Sequence, residues 1–597
     1  MRHTLAAVYG VFSDWLLLID FIVREYNWHL DVCKDFSCLC FGIPDIYLFH
    51  FSFEVASMKI RRRYLVLLIG LAGIGLLIGF MKYSGGSPPG RKSARNLVYS
   101  PGKSSYYIDG ARGDDQQDGK TPDRAWKTLE RVNGILFAPG DRILFKAGSV
   151  FSGQLAPSGS GKEGAPIVID KYGTGEMPRI NAEGRFHEAL LLENQEYWEV
   201  SDLELTNQGK SRQGYRYGVR VAAWDFGSMR HIQLKHLFIH DVNGSVRKGR
   251  SEGHGILWEN GGKITRSRFE GLLIEQCHLL RTDRNGICGS SAHSERNDWF
   301  PSLNVIIRNN LLEDIGGDGI KPFGCDGVLV ERNRLDGANR RAPDYSAGMW
   351  PWSCDNSVFQ SNEVSGVKGT RDGQAFDSDG NCQGTIFQYN YSHDNEGGFL
   401  MICDDGGWKE PYSVGNRKTI VRYNISQNDA ARTFHLTGPV KDVRIYNNTI
   451  FIGPAMDLPL FLFTDYRGWA DGVYVANNIF YVAGKTQYSH GTWKHLDGSY
   501  VVAPGFAQSR NIKFENNFYF GHHADPPPDS NRRTADPLLV GPGSGARGFD
   551  SLRGYKLKDG SPCVGIGVSI TDNGGLDFWG GTLTPGKNPS IGAYERE

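Results

Sequence analysis

The sequence predicts an all-β chain wound as a parallel β-solenoid, and three observations carry that expectation. A phrase of loose form Val-x-Ile-x-x-Asn returns at residues 305–310, 328–333, 358–362, 386–390, 421–424, 443–448, 475–478 and 514–517. A short alternating strand, often of Gly-Ile type, precedes it, and no helical period intervenes. Composition agrees, because 12% aromatic and 22% charged residues with 76 glycines describe a turn-rich globular β protein. Self-similarity at a period of roughly 20–40 residues marks a solenoid, which grows in one dimension and escapes the usual ceiling on core size.

The asparagine that closes each phrase fits a bend shared by successive coils. Its amide both donates and accepts, so stacked copies can hydrogen-bond along the coil axis, and a left-handed backbone costs it little. Surface turns between unrelated strands would not hold eight copies in phase.

Residues 1–57 carry Cys33, Cys38 and Cys40 and no repeat, and they read as a misassigned extension. Met58, Lys59 and Ile60 followed by Arg61, Arg62 and Arg63 open as a signal segment opens. Residues 58–83 therefore read as a signal anchor or signal peptide. The uncharged stretch 65–81, about 17 residues long, sits at the short edge of a membrane span, and no small-x-small cleavage site follows it. Arginines before it favour an exported body, periplasmic or extracellular, tethered through this segment. Residues 84–103 form a Gly/Ser/Pro linker.

Formal net charge is zero, which implies no general attraction to nucleic acid, and the exported body is expected to be monomeric. The cysteines after Met58 show neither a CxxC pair nor zinc spacing. Cys325 and Cys354 occupy equivalent positions and either stack or bridge. The chain contains no P-loop, Gly-x-Ser-x-Gly or His-Glu-x-x-His motif, so no nucleotide cofactor is expected.

Two segments outside the repeat are more specific than the repeat. The first runs through Tyr106, Tyr107, Ile108 and Asp109, then Gly113-Asp114-Asp115, Asp118-Gly119, Thr121-Pro122, Trp126-Lys127-Thr128-Leu129 and Pro139-Gly140-Asp141. The second comprises Asp536-Pro537-Leu538, Tyr555-Lys556-Leu557, Gly560-Ser561-Pro562 and Ile591-Gly592-Ala593-Tyr594-Glu595. Together they resemble the terminal modules of secreted right-handed parallel β-helix proteins of the pectate lyase superfamily, the first being similar to that of family 9 pectate lyases. The resemblance implies an N-terminal cap with the first coils at 104–185, a single-stranded right-handed parallel β-helix at 186–525 and a closing segment at 526–597. It implies polysaccharide as partner but leaves the reaction open, since the fold hosts lyases, hydrolases, epimerases and adhesins.

Strand parity locates a groove. Columns beginning at Val219, Ile256, Ile287, Ile320, Met349, Gln374 and Phe399 put Val221, Trp258, Pro322, Pro351, Phe376 and Met401 in the core. One outward column then holds Arg220, Leu257, Cys288, Lys321, Trp350, Ala375 and Leu400, and the next holds Ala222, Glu259, Ser290, Phe323, Trp352, Asp377 and Ile402. Phe323, Trp350 and Trp352 would form an aromatic patch on which sugar rings stack, unless the insertions 334–347 or 404–418 cover it.

Asp377 and Asp379 share a face roughly 6–7 Å apart, near the separation used by inverting glycosidases, so hydrolysis by this pair leads. A buried Asp377 would remove that assignment. Lys321, about 10 Å along the groove, is the alternative base for β-elimination on a uronate glycan. Asp377, Asp379 and Asn381 also space oxygens as a turn that could hold Ca²⁺, although the Gly and distant Glu of an EF-hand loop are missing. His393 and His435 are further catalytic candidates. Asp318, Arg371 and Glu259 are candidate substrate contacts, as is His254 beside Glu259. The expected activity is cleavage of glycosidic bonds along the β-helix face, the rival being a non-catalytic glycan-binding solenoid.

Overall fold

The computed structural model describes residues 41–43, 46–48, 97–249, 251–407, 410–493 and 500–596. The chain divides into two compact units, residues 1–93 and 94–597. In the first, strands Phe41–Ile43 and Ile46–Leu48 pair antiparallel. The expected anchor at 65–81 and the proposed start at Met58 lie outside the described residues. Among the described residues no helix is long and apolar enough to cross a membrane.

The second unit is an all-β parallel helix whose coils each contribute three strands. One coil illustrates the pattern. His254–Gly261 lies on the first face, Arg268–Glu275 on the second and His278–Thr282 on the third. These pair in parallel with Asn285–Ser291, Ile306–Arg308 and Leu311–Glu313 of the next coil. Inward positions are Val, Ile, Leu and Phe because both faces of each pleat cannot be solvated when the sheet wraps on itself. They form one continuous core along the coil axis.

The repeat phrase lies on the second face, and its asparagines form the expected ladder. Asn310, Asn333, Asn362, Asn390, Asn424, Asn448 and Asn478 each donate backbone N–H and Nδ2 to Oδ1 of the next asparagine, at 2.9–3.1 Å. The ladder begins at the Cys277 N–H and ends on Asp529, whose carboxylate accepts from Asn517 Nδ2 at 2.7 Å. The left-handed backbone falls one residue before the ladder asparagine, at Asn309, Arg332, Ser361, Tyr389, Tyr423, Asn447, Asn477 and Asn516. The amide is thus selected for its hydrogen bonds and the bend is paid by its neighbour.

Cys325, Cys354 and Cys382 stack in the core of consecutive coils as free thiols. The Cys325 and Cys354 N–H groups each approach the next sulfur at 3.4 Å.

At the N-terminal end, strand Ser105–Ile108 pairs with Arg142–Lys146, and Tyr106 stacks on buried Trp126 at 4.8 Å. The helix Leu129–Asn133, capped by Thr128 Oγ1, turns Leu129 and Val132 into the core. The C-terminal segment runs back along the outside of the coils. It packs on Tyr389, Tyr423 and Tyr446, and Arg547 reaches Glu313 at 3.0 Å.

Register on the first face corrects the sequence columns at two places. Met349 pairs with Phe376, not Gln374, and Phe376 pairs with Leu400, not Met401. The first slip is even and preserves parity; the second is odd and turns Met401 outward. The outward column therefore reads Arg220, Leu257, Cys288, Lys321, Trp350, Asp377, Met401 and His435.

Candidate active site

Strand Gln374–Ser378 carries the chemistry. Phe376 enters the core, Asp377 points outward, and Asp379 follows at the strand end beside Cys403. Just before the strand, Asp372 sits on a loop whose backbone is clamped from the adjacent coils. Buried Arg432 donates to the carbonyls of Thr370 at 2.6 Å, Arg371 at 3.2 Å and Asp372 at 3.4 Å. Asp372, Asp377 and Asp379 form one electrostatic cluster, to which Lys248 adds a positive charge from the loop between strands Phe238–Val242 and His254–Gly261.

The three carboxyls differ in access. Asp377 is 3% exposed, while Asp372 and Asp379 are half-buried. Asp377 therefore faces the groove with the expected parity but lies beneath it, and the assignment of Asp377 as a group touching substrate is withdrawn. Burial, then Asp379 and Asp372, push its carboxyl well up, so it stays protonated. Its Oδ1 has no hydrogen-bond partner, and Oδ2 accepts only a 3.4 Å contact from Gln374 Nε2. Burial also raises Asp379, to about 6, against the Gly380 N–H, Lys248 and a Cys403 hydrogen bond that favour its charged form. Asp372 is raised by burial, with Lys248 and Arg432 opposing.

The aromatic patch forms, with one member sunk. Trp352 lies between Phe323 and Trp350, ring centroids 6.4 and 6.0 Å away, and Phe323 and Trp352 are half-buried. Trp350 is buried, donating Nε1 to Asp318 at 3.1 Å beneath the ammonium groups of Lys248 and Lys321. Asp318 is fully buried, accepting also from the Ala347 N–H and Arg284, so it braces the groove instead of contacting substrate. Arg371 stacks on the Tyr345 ring at 3.9 Å at the groove edge. Glu259 shares Arg220 with Glu188, four coils or about 19 Å from Asp379.

Other candidates move out. Burial would lower the pKa of Lys321, but Cys288, Glu252 and Asp318 outweigh it and raise it, which favours the protonated ammonium over the free base that elimination needs. His393 is on the third face, with Nδ1 2.7 Å from Asp394 and Nε2 3.4 Å from Glu363, far from the groove column. His435 shares the Asp377 column but is buried two coils on, with Nε2 2.8 Å from Thr464 Oγ1, and burial keeps it neutral. His254 is likewise buried, beside Asn285 at 3.2 Å and lowered to about 4 by burial.

The calcium turn does not fit its ion. Asn381 Oδ1 accepts from Arg296 Nε at 2.8 Å and the Val414 N–H at 3.1 Å, and its carbonyl accepts from Arg296 Nη2 at 2.7 Å. A cation there would meet a guanidinium. Among the described residues no group of three or more His, Cys, Asp or Glu side chains is arranged to hold a metal.

The groove is asymmetric along its axis. Toward the N-terminal coils its floor stays accessible at Glu259, Ser290, Phe323 and Trp352. Beyond Asp379 every outward residue is buried, namely Met401, Cys403, His435, Thr437, Leu462 and Thr464. At this end Gly406, after strand Gly398–Cys403, is seated against Arg467 and Pro439.

Asp372 and Lys248 escaped the sequence columns because both lie on loops between strands. The signal for Asp372 was its place directly before Gly373 and the strand carrying Asp377, next to flagged Arg371. Lys248 offers no comparable sequence signal.

No family model matches the chain. A curated lacto-N-biosidase from Bifidobacterium longum subsp. longum is 29% identical over 610 residues, covering 83% of this chain and 36% of that protein. The chain thus spans about a third of the length of the curated relative it matches. The crystal structure of GH136 lacto-N-biosidase from Eubacterium ramulus matches as the selenomethionine derivative at 28% identity and a TM-score of 0.51, over 62% of this chain and 67% of that chain. Its native form gives 29%, 0.50, 58% and 64%. Pectate lyase Pel9A is more distant, at 13% identity and a TM-score of 0.37 over 84% of this chain and 98% of that chain, and the expected likeness to family 9 is not specific.

Proposed function

We propose that the chain is a glycoside hydrolase acting on lacto-N-biosides, with Asp372 and Asp379 as its working carboxyls. The observation that carries this reading is two half-buried carboxyls above a buried third, at the closed end of an aromatic-floored groove. Likeness to two lacto-N-biosidases supports it.

Asp379 takes the carboxylate role, attacking or activating water, because hydrogen bonds from the Gly380 N–H and Cys403 favour its charge. Asp372, the other half-buried carboxyl, is left to protonate the leaving oxygen. Protonated Asp377 adds no charge beneath them and so spares Asp379 a second repulsion. Closure beyond Asp379 favours a glycan entering by its end from the N-terminal side.

The test is incubation of the protein with a p-nitrophenyl lacto-N-bioside and mass spectrometry of the products. Release of saccharide carrying one added water is expected; unsaturated products would establish elimination, and a panel of glycans left intact would favour the binding solenoid. With Asp379 ionised in the working form, kcat/KM is expected to fall as pH drops below about 6. A rate flat from pH 7 to 4.5 would contradict that role.

A further inference from the structure

We propose that the chain carries a second, non-catalytic pocket for a neutral sugar ring, between residues 184–187 and 213–216. A cavity of about 350 Å³ lies there, lined in part by Phe186, His187, Gln213 and Tyr215. That volume lies at the lower end of small-ligand sites and suits one or two pyranose rings. Phe186 and Tyr215 are 38% and 46% exposed, so both rings are open to solvent at the cavity. The His187 ring lies 5.9 Å from that of Tyr215, tilted by 32°.

The walls are held by buried polar anchors. Arg216, 4% exposed, donates to the carbonyls of Ser211, Asn243 and Gly184, to Asn243 Oδ1 and to Gln213 Oε1, at 2.6–3.1 Å. Asn207, fully buried, donates to the carbonyls of Phe186, His187 and Tyr217 and accepts from the Gly184 N–H. Two loops bearing exposed rings are thereby fixed apart, the pre-organisation that lets a shallow site bind without first paying to order itself.

Charge argues for a neutral ligand. The Arg216 guanidinium is spent on five acceptors, and Arg185, which lies over the Phe186 ring, has its charge offset by Glu183 at 2.5 Å, so the lining carries little net charge to select a carboxylate. Rings for C–H stacking and the Gln213 amide for hydroxyls remain. The pocket also abuts the loop that carries Lys248, since the Tyr215 N–H donates to the Ser251 carbonyl at 3.2 Å. It lies five to six coils, about 24–29 Å, from the coil of Asp379, so a tetrasaccharide would fill it separately from the groove, and its taste for the same glycan rests on the function proposed above.

The experiment is isothermal titration of the Asp379→Asn protein with lacto-N-tetraose and with a sialylated lacto-N-tetraose, repeated after Phe186→Ala with Tyr215→Ala, and separately after Gln213→Ala. Expected is binding in both groove and pocket. The double variant should weaken the pocket component by roughly tenfold or more, Gln213→Ala by less, and sialylation should bring no gain. Binding that the double variant leaves unchanged overturns the pocket while sparing the groove. Tighter binding of the sialylated glycan overturns the neutral assignment. No binding of either glycan anywhere overturns both the pocket and the lacto-N-bioside reading.

Discussion

Asp379→Asn is expected to lower kcat by roughly 10²–10⁴-fold with little change in substrate binding, since the amide keeps the shape and loses the charge. Asp372→Asn should do the same through loss of the proton donor. Asp377→Asn should cost less than roughly tenfold, because an amide imitates the protonated carboxyl that burial already enforces. If Asp377→Asn were as damaging as Asp379→Asn, the division into working and underlying carboxyls would be wrong.

The same substitution has a signed effect on stability. Folding raises Asp379 from its ordinary 3.8 to about 6, so the native state holds that proton more tightly than the unfolded chain. Its contribution is complete below about pH 3.8 and is lost as pH climbs through 6. At pH 7.5 the ionised carboxylate opposes folding, and Asp379→Asn should raise the melting temperature by about 1–3 °C. A dead enzyme that melts higher is the signature of a site whose charge is held at the expense of the fold. An unchanged or lower melting temperature at pH 7.5, with a gain appearing only in acid, would reverse the sign.

Asn390→Leu is expected to cost about 3–6 kcal/mol in denaturant unfolding. The leucine would leave the Asn362 N–H without its Oδ1 acceptor, strip Asn362 Nδ2 and Asn424 Oδ1 of one ladder partner each, and remove a donor from the Phe359 carbonyl, all inside the core bend. Because each coil touches only its neighbours, the damage should centre on the coils around Asn362 and Asn424, and amide exchange should rise there first. A loss below about 1 kcal/mol would mean that water replaces the missing amide.

The coiled fold was legible because its determinants are local and repeated. Alternating apolar residues specify strands, and an amide at a fixed phase specifies the bend; both recur often enough to be read without a partner. Phe323 and Trp352 were placed correctly for the same reason. Failures began where coils differ in length. The register slip at Phe399 turned Met401 inward on paper, since one residue of error in a period of two exchanges the faces.

Access could not be read from parity. Asp377 and His435 point outward and are nevertheless buried, at 3% and 1% exposure. Lys321 offered the right side chain for a base, yet its proton is held by Glu252 and Asp318, which lie on other strands or loops. Local pattern along the chain was enough for the solenoid, its ladder and the strand that bears Asp377. Which of the site's carboxyls is accessible and which is driven to keep its proton came from the fold, because desolvation and charge are sums over neighbours that the chain brings together from coils tens of residues apart.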